Sequence, residues 1–254
     1  MNTQAAKLFS RIILSDKPAR IKLLGDSITH GRSGTGFDED GENFVTNFRR
    51  NNYGYCWARL MAEHLGKQYG CQVINNGCCG VNTSFLVEHF DTLVEADDDI
   101  VICTIGTNDR AQYKKDGPRP TREGHLAKVY RDMQQLADKF QAAGKPVIFV
   151  ANIPAILETP EGVFRRDGIP FWRPLHMHDI HDLWVKLCCE RDLPLVDLYT
   201  AMTNFCDVRN IPLNDLLDDG LHPNDRGYEV IFRLLMEELG IAVPHKDIQL
   251  ANDK

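Results

Sequence analysis

The sequence predicts an α/β protein, a three-layer α/β/α sandwich on a five-stranded parallel sheet. Short apolar runs rich in β-branched residues alternate with longer helical patterns, and loops of unusual composition follow the runs. Strands are predicted over Ile21–Leu24, Val73–Asn75, Ile100–Ile105, Val147–Asn152 and Leu195–Leu198. Between them, Tyr55–Leu65 places Tyr55, Trp57, Leu60, Met61 and Leu65 at helical spacing. Glu123–Ala143 and Leu175–Glu190 are long enough to serve as crossover helices. Parallel strands need both faces covered, and right-handed crossovers put helices on each side. Ligands then bind beyond the carboxyl ends of the strands. Gly31–Gly54, Arg110–Arg122 and Ala155–Arg173, rich in Gly, Pro or charge, are therefore the expected active-site loops.

The 254 residues suffice for one domain with its core at about 20–240; the residues after Val243 read as a polar tail. A composition of 43% hydrophobic and 26% charged residues is that of a globular protein. The net charge of −7, with no basic run, argues against nucleic acid and anionic lipid as partners. No segment has the apolar length of a bilayer span, and the first twenty residues lack a cleavage pattern, so a cytoplasmic location is expected. Eight cysteines occur without a CxxC pair and lie mostly in or beside apolar segments, where they read as small reduced hydrophobes.

Chemistry concentrates in four blocks. Gly25-Asp26-Ser27-Ile28-Thr29-His30-Gly31 ends the first strand, where a tight turn is expected to expose Ser27 at the sheet edge. A serine hydroxyl needs a base, and Asp219-Gly220-Leu221-His222-Pro223-Asn224 supplies one. The carboxylate lies three residues before the imidazole, close enough to hold its tautomer. Asn75-Asn76-Gly77-Cys78-Cys79-Gly80 and Gly106-Thr107-Asn108-Asp109 follow the second and third strands, where oxyanion donors would be needed. Gly80 can offer an unobstructed backbone N–H and Asn108 a side-chain amide.

These blocks, in this order, resemble the SGNH (GDSL-type) hydrolase superfamily over about residues 21–227, through Ser27, Gly80, Asn108 and His222. The resemblance implies a flavodoxin-like sheet and ester hydrolysis through an acyl-serine intermediate. It also implies an oxyanion hole from the Ser27 and Gly80 N–H groups with the Asn108 amide, and neither metal nor cofactor. The catalytic residues expected are Ser27, Asp219 and His222. Short acyl esters, acetyl above all, of a carbohydrate or similar polar alcohol are the expected substrates, because the loops are dominated by polar residues. Phe171, Trp172 and Arg165 are the candidate substrate contacts, suited to stacking on a sugar face and bonding its hydroxyls.

Three alternatives stand beside this reading. An acyltransferase of the same fold would pass the acyl group to an alcohol, and a lysophospholipase or thioesterase would share the motifs. A non-catalytic binding module would be expected to lack the serine, the histidine or an oxyanion donor, and none is missing. The run His176–Asp182 offers His178, His181 and Asp182 at spacing that could hold a metal, but reads as a solvated polar face.

Overall fold

The computed structural model describes residues 3–37, 54–113, 121–156, 163–166 and 169–243. Among these, α1 (Thr3–Ile13) precedes β1 (Arg20–Gly25), and the one-turn α2 (Ser27–His30) follows it directly. Then come α3 (Trp57–Tyr69), β2 (Gln72–Gly77), α4 (Thr83–Glu88), α5 (Phe90–Leu93) and β3 (Ile100–Thr104). A 3₁₀ turn at Thr107–Arg110 leads into β4 (Gln112–Tyr113), α6 (Arg122–Ala142) and β5 (Val147–Ala151). The hairpin β6 (Val163–Arg166) and β7 (Ile169–Trp172) is followed by α7 (Met177–Arg191), β8 (Leu195–Asp197) and α8 (Leu198–Arg209). A second 3₁₀ turn, Leu213–Leu216, and α9 (Asp225–Glu238) complete the order.

The predicted five-stranded sheet is present, all parallel, in the order β2-β1-β3-β5-β8. Its central strands are buried on both faces, as continuous apolar runs such as Ile100–Thr104 and Val147–Ala151 require. One face packs with Phe9 of α1, Met61 of α3, Met202 of α8 and Ile231 of α9. The other packs with Leu86 of α4, Met133 of α6 and Trp184 of α7. Trp184 stacks on Phe149 at 4.7 Å and donates its indole N–H to Ile105 O at 2.9 Å, fixing α7 against the end of β3.

Three differences from the sequence reading concern whole elements. The fifth strand stops at Asp197 because that side chain accepts the Thr200 N–H at 2.9 Å and caps α8, so Leu198 is helical. Helix α1 went unpredicted, although Ala5, Phe9 and Ile13 are buried at i, i+4 spacing. Two expected loops contain strands: β4, β7 and β6 form a small antiparallel sheet pairing Gln112 with Trp172 and Phe164 with Phe171. Charge also enters the sheet at Lys22, which is 0% exposed and bonds Glu95 at 2.8 Å, so the buried ammonium is paired.

Candidate active site

The strand order reverses direction at β1, with β2 on one side and β3 on the other, which opens a crevice at the carboxyl ends of β1 and β3. Ser27 follows the first of these strands and Asn108 the second. Gly25 makes the turn into α2 possible: a Cβ there would lie 2.1 Å from Thr29 Oγ1 and 2.5 Å from Thr104 O. Asp26 caps α2 by accepting the Ile28 N–H at 3.0 Å. Ser27 is the first helical residue, so its N–H has no acceptor within the helix.

His222 arrives on a turn closed by a bridge between Leu217 and Pro223 and by Asp218 N–H donating to His222 O at 2.8 Å. One carboxylate shapes that turn and orients the ring. Asp219 Oδ1 accepts the backbone N–H groups of Leu221 at 3.0 Å and His222 at 2.8 Å, while Oδ2 lies 2.7 Å from His222 Nδ1. The other ring nitrogen, Nε2, lies 2.9 Å from Ser27 Oγ. Two contacts tie this turn and the helix after it to neighbouring segments. Tyr228 of α9 donates to Arg32 O at 2.6 Å, and Ile156, after β5, donates its N–H to Gly220 O at 2.8 Å.

Partial burial works against ionisation of Asp219, but the hydrogen bonds from His222 and Leu221 outweigh it and hold its carboxyl below the ordinary range. It is therefore an anion facing the imidazole. Asp26 behaves oppositely: full burial pushes its carboxyl up despite hydrogen bonds from Thr107 and Ile28. Asn152 ties this group to the next strands, reaching Asp26 Oδ2 at 3.4 Å and Thr107 Oγ1 at 2.7 Å.

The structure brings Ser27, His222 and Asp219 into one relay, with a correction to the expected exposure. Ser27 is only 4% exposed, because the buried His222 ring covers it. Gly80 has a φ of +79°, and a Cβ built there meets nothing within 4 Å among the described residues. Asn108 donates from Nδ2 to Val81 O at 2.8 Å, which orients the amide and leaves its second hydrogen. Phe171, Trp172 and Arg165 lie on the β6–β7 hairpin, which pairs with β4 just beyond Asn108. Their side chains lie outside the described residues. Sequence reasoning gave no role to Asp26 and missed Asn152. A polar residue directly after the wholly apolar strand Val147–Ala151 was the available signal.

Two groups of possible metal ligands are already engaged. His181 lies 2.9 Å from Asp182 and 3.2 Å from Asp197 of β8, and His178 lies 3.5 Å from Asp179. With its side chain 17% exposed, His181 is a bridge between α7 and the start of α8, not part of the solvated face expected there. Glu95, Asp97 and Asp98 form an acidic cluster, but Arg20 and Lys22 of this chain occupy it.

The sequence profile of the GDSL-like Lipase/Acylhydrolase family matches residues 23–230. Solved structures share the fold at low identity. A catalytic mutant of Axe2, an acetylxylan esterase from Geobacillus stearothermophilus, is 19% identical with a TM-score of 0.64, covering 91% of this chain and 100% of that one. LAE5, an alpha/beta hydrolase enzyme from the metagenome of Lake Arreo, Spain, is 20% identical with a TM-score of 0.65, covering 92% of this chain and 100% of that one. No curated protein matches the chain.

Proposed function

We propose that this chain, which belongs to the GDSL-like lipase/acylhydrolase family and is an ester-bond hydrolase, removes short acyl groups, acetyl above all, from a carbohydrate or similarly polar alcohol. The relay from Asp219 through His222 to Ser27, at 2.7 and 2.9 Å, carries the mechanism. Asp219 accepts the Nδ1–H of His222, which leaves Nε2 free to take the Ser27 proton as Oγ attacks the ester carbonyl. The oxyanion that forms is received by the N–H groups of Ser27 and Gly80 and the remaining Asn108 amide hydrogen. Collapse breaks the bond to the alcohol oxygen, which takes the proton from His222. Water, deprotonated by the same imidazole, then attacks the acyl carbonyl, and collapse breaks the bond to Ser27 Oγ, which takes the proton back from His222 as the carboxylate leaves.

The substrate reading rests on two supports. A relative of the same fold is an acetylxylan esterase. The hairpin bearing Phe171, Trp172 and Arg165 is paired to the strand just beyond Asn108, where an alcohol moiety would project. The net charge of −7 does not favour an anionic lipid surface or nucleic acid, and among the described residues no helix is long and apolar enough to cross a membrane. Eight free cysteines, six of them buried, suit a reducing compartment, and we place the protein in the cytoplasm.

The test is a series of acetyl, butyryl, octanoyl and palmitoyl esters beside acetylated xylo-oligosaccharides, with products followed in the presence and absence of an alcohol acceptor. The highest kcat/KM is expected with acetyl groups, with free acetate as product. Each methylene received by a complementary pocket adds about 0.8 kcal/mol, so a steady rise in kcat/KM through octanoyl would overturn the short-acyl reading. Acyl groups recovered mainly on the alcohol would make the protein a transferase.

A further inference from the structure

We infer that Asp109 is a positioning residue that sets the spacing of the two separate oxyanion donors, Gly80 and Asn108, by clasping the segment after Gly80 to the turn after β3. The inference rests on the serine mechanism proposed above. Only Val81 and Asn82 separate Gly80 from the first turn of α4. Across that short segment, Asp109 Oδ2 accepts the Thr83 backbone N–H at 3.0 Å and the Thr83 hydroxyl at 2.9 Å, with Oδ1 at 3.2 Å from the same N–H. Asn108, one residue earlier, donates to Val81 O at 2.8 Å. Adjacent residues of one turn therefore grip positions 81 and 83 of the other arm. The gripping turn is itself anchored, because Asp109 N–H donates to Gly106 O at 3.0 Å and Asp109 O receives His125 Nε2–H from α6 at 2.7 Å.

Two further observations make this a matter of position and not of packing alone. Gly80 has no side chain, and among the described residues nothing lies within 4 Å of where a Cβ would be, so no side-chain packing at this position holds its backbone. Meanwhile Asp109 is a carboxylic acid at 3% exposure, a costly choice where filling volume is all that is needed. Oδ2 accepts both Thr83 donors while Oδ1 lies 3.2 Å from the same N–H; an asparagine would set an amide NH2 group against a donor at one of these two positions. Oxyanion donors act on the transition state, and displacement of catalytic geometry by about 1 Å can cost about 10²-fold in rate.

Thr83→Val, Thr83→Ser and Asp109→Asn test the clasp in the full chain. With p-nitrophenyl acetate, kcat and KM are measured per active site titrated by a fluorophosphonate, with near-ultraviolet circular dichroism and melting temperature recorded alongside. Thr83→Val keeps shape but loses the hydroxyl; it is expected to lower kcat about tenfold with KM within about twofold of the parent, and Thr83→Ser to restore kcat. Asp109→Asn is expected to lower kcat about 10²-fold. If Asp109→Asn does not fold, the two Thr83 variants decide. Unchanged kcat per titrated site, with only the melting temperature lowered, would make Asp109 a stability residue and overturn the inference, as would a loss confined to KM. A parent protein that neither labels at Ser27 nor hydrolyses the ester would instead fail the serine mechanism, and the inference with it.

Discussion

The His222 ring 2.9 Å away both covers Ser27 and, in the proposed mechanism, activates it. The ring can act as base only in the tautomer that leaves Nε2 unprotonated, and the Asp219 carboxylate at Nδ1 selects it. Asn108 is set up differently. One amide hydrogen is committed to Val81 O, so replacing the side chain with alanine removes both the proposed oxyanion donor and an anchor. Asn108→Ala is expected to lower kcat by about 10²–10³-fold with a smaller effect on KM, measured by steady-state hydrolysis of an acetyl ester. A change in KM alone would assign Asn108 to substrate binding. That these residues would meet was legible because each sits in a short block with its neighbouring groups beside it. The supports were not legible: Asn152 meets Asp26 across 126 positions, and no local pattern encodes that contact.

The central strands were legible because apolar residues fill most of their length, Lys22 of β1 being the charged exception, and their observed ends fall within about two residues of the predicted ones. The small sheet was not, since its hairpin is built from short segments carrying Pro170, Arg165 and Arg166, which read as loop. At α7 the polar run was placed on a helix correctly, yet the contact of His181 with Asp197 depends on β8 and could only be seen in three dimensions. That contact has a pH signature. The hydrogen bond to Asp197 is the leading influence on His181, and with Asp182 it outweighs burial and raises the imidazole above its ordinary value of 6.5. The folded state therefore binds this proton more tightly than the unfolded chain does. Its stabilisation is full below the unfolded value and is lost as pH rises through the folded one. His181→Gln is expected to cost about 1 kcal/mol near pH 5.5 and much less near pH 9 in chemical denaturation. The figure is kept small because Asp182 and Asp197 are substantially exposed and screened. An equal loss at both pH values would mean that His181 acts through packing with Tyr199.

Across the whole molecule, the parallel sheet places chemistry at one end. Ser27, Asn108 and Asn152 all follow the carboxyl ends of strands, and the turn bearing Asp219 and His222 folds over the same edge. The opposite end holds a hollow of about 820 Å³ lined in part by Phe140, Val147 and Pro194, at the amino ends of β5 and β8. Its size does not make it the active site, because the relay lies at the other edge of the sheet. The central claim is that His222 activates Ser27 as a nucleophile. Labelling the intact protein with a fluorophosphonate and mapping the adduct by mass spectrometry tests it most directly. The account predicts a single adduct on Ser27, absent from His222→Ala, and turnover about 10⁶-fold lower in Ser27→Ala. An adduct at another residue, or undiminished labelling in His222→Ala, would contradict it.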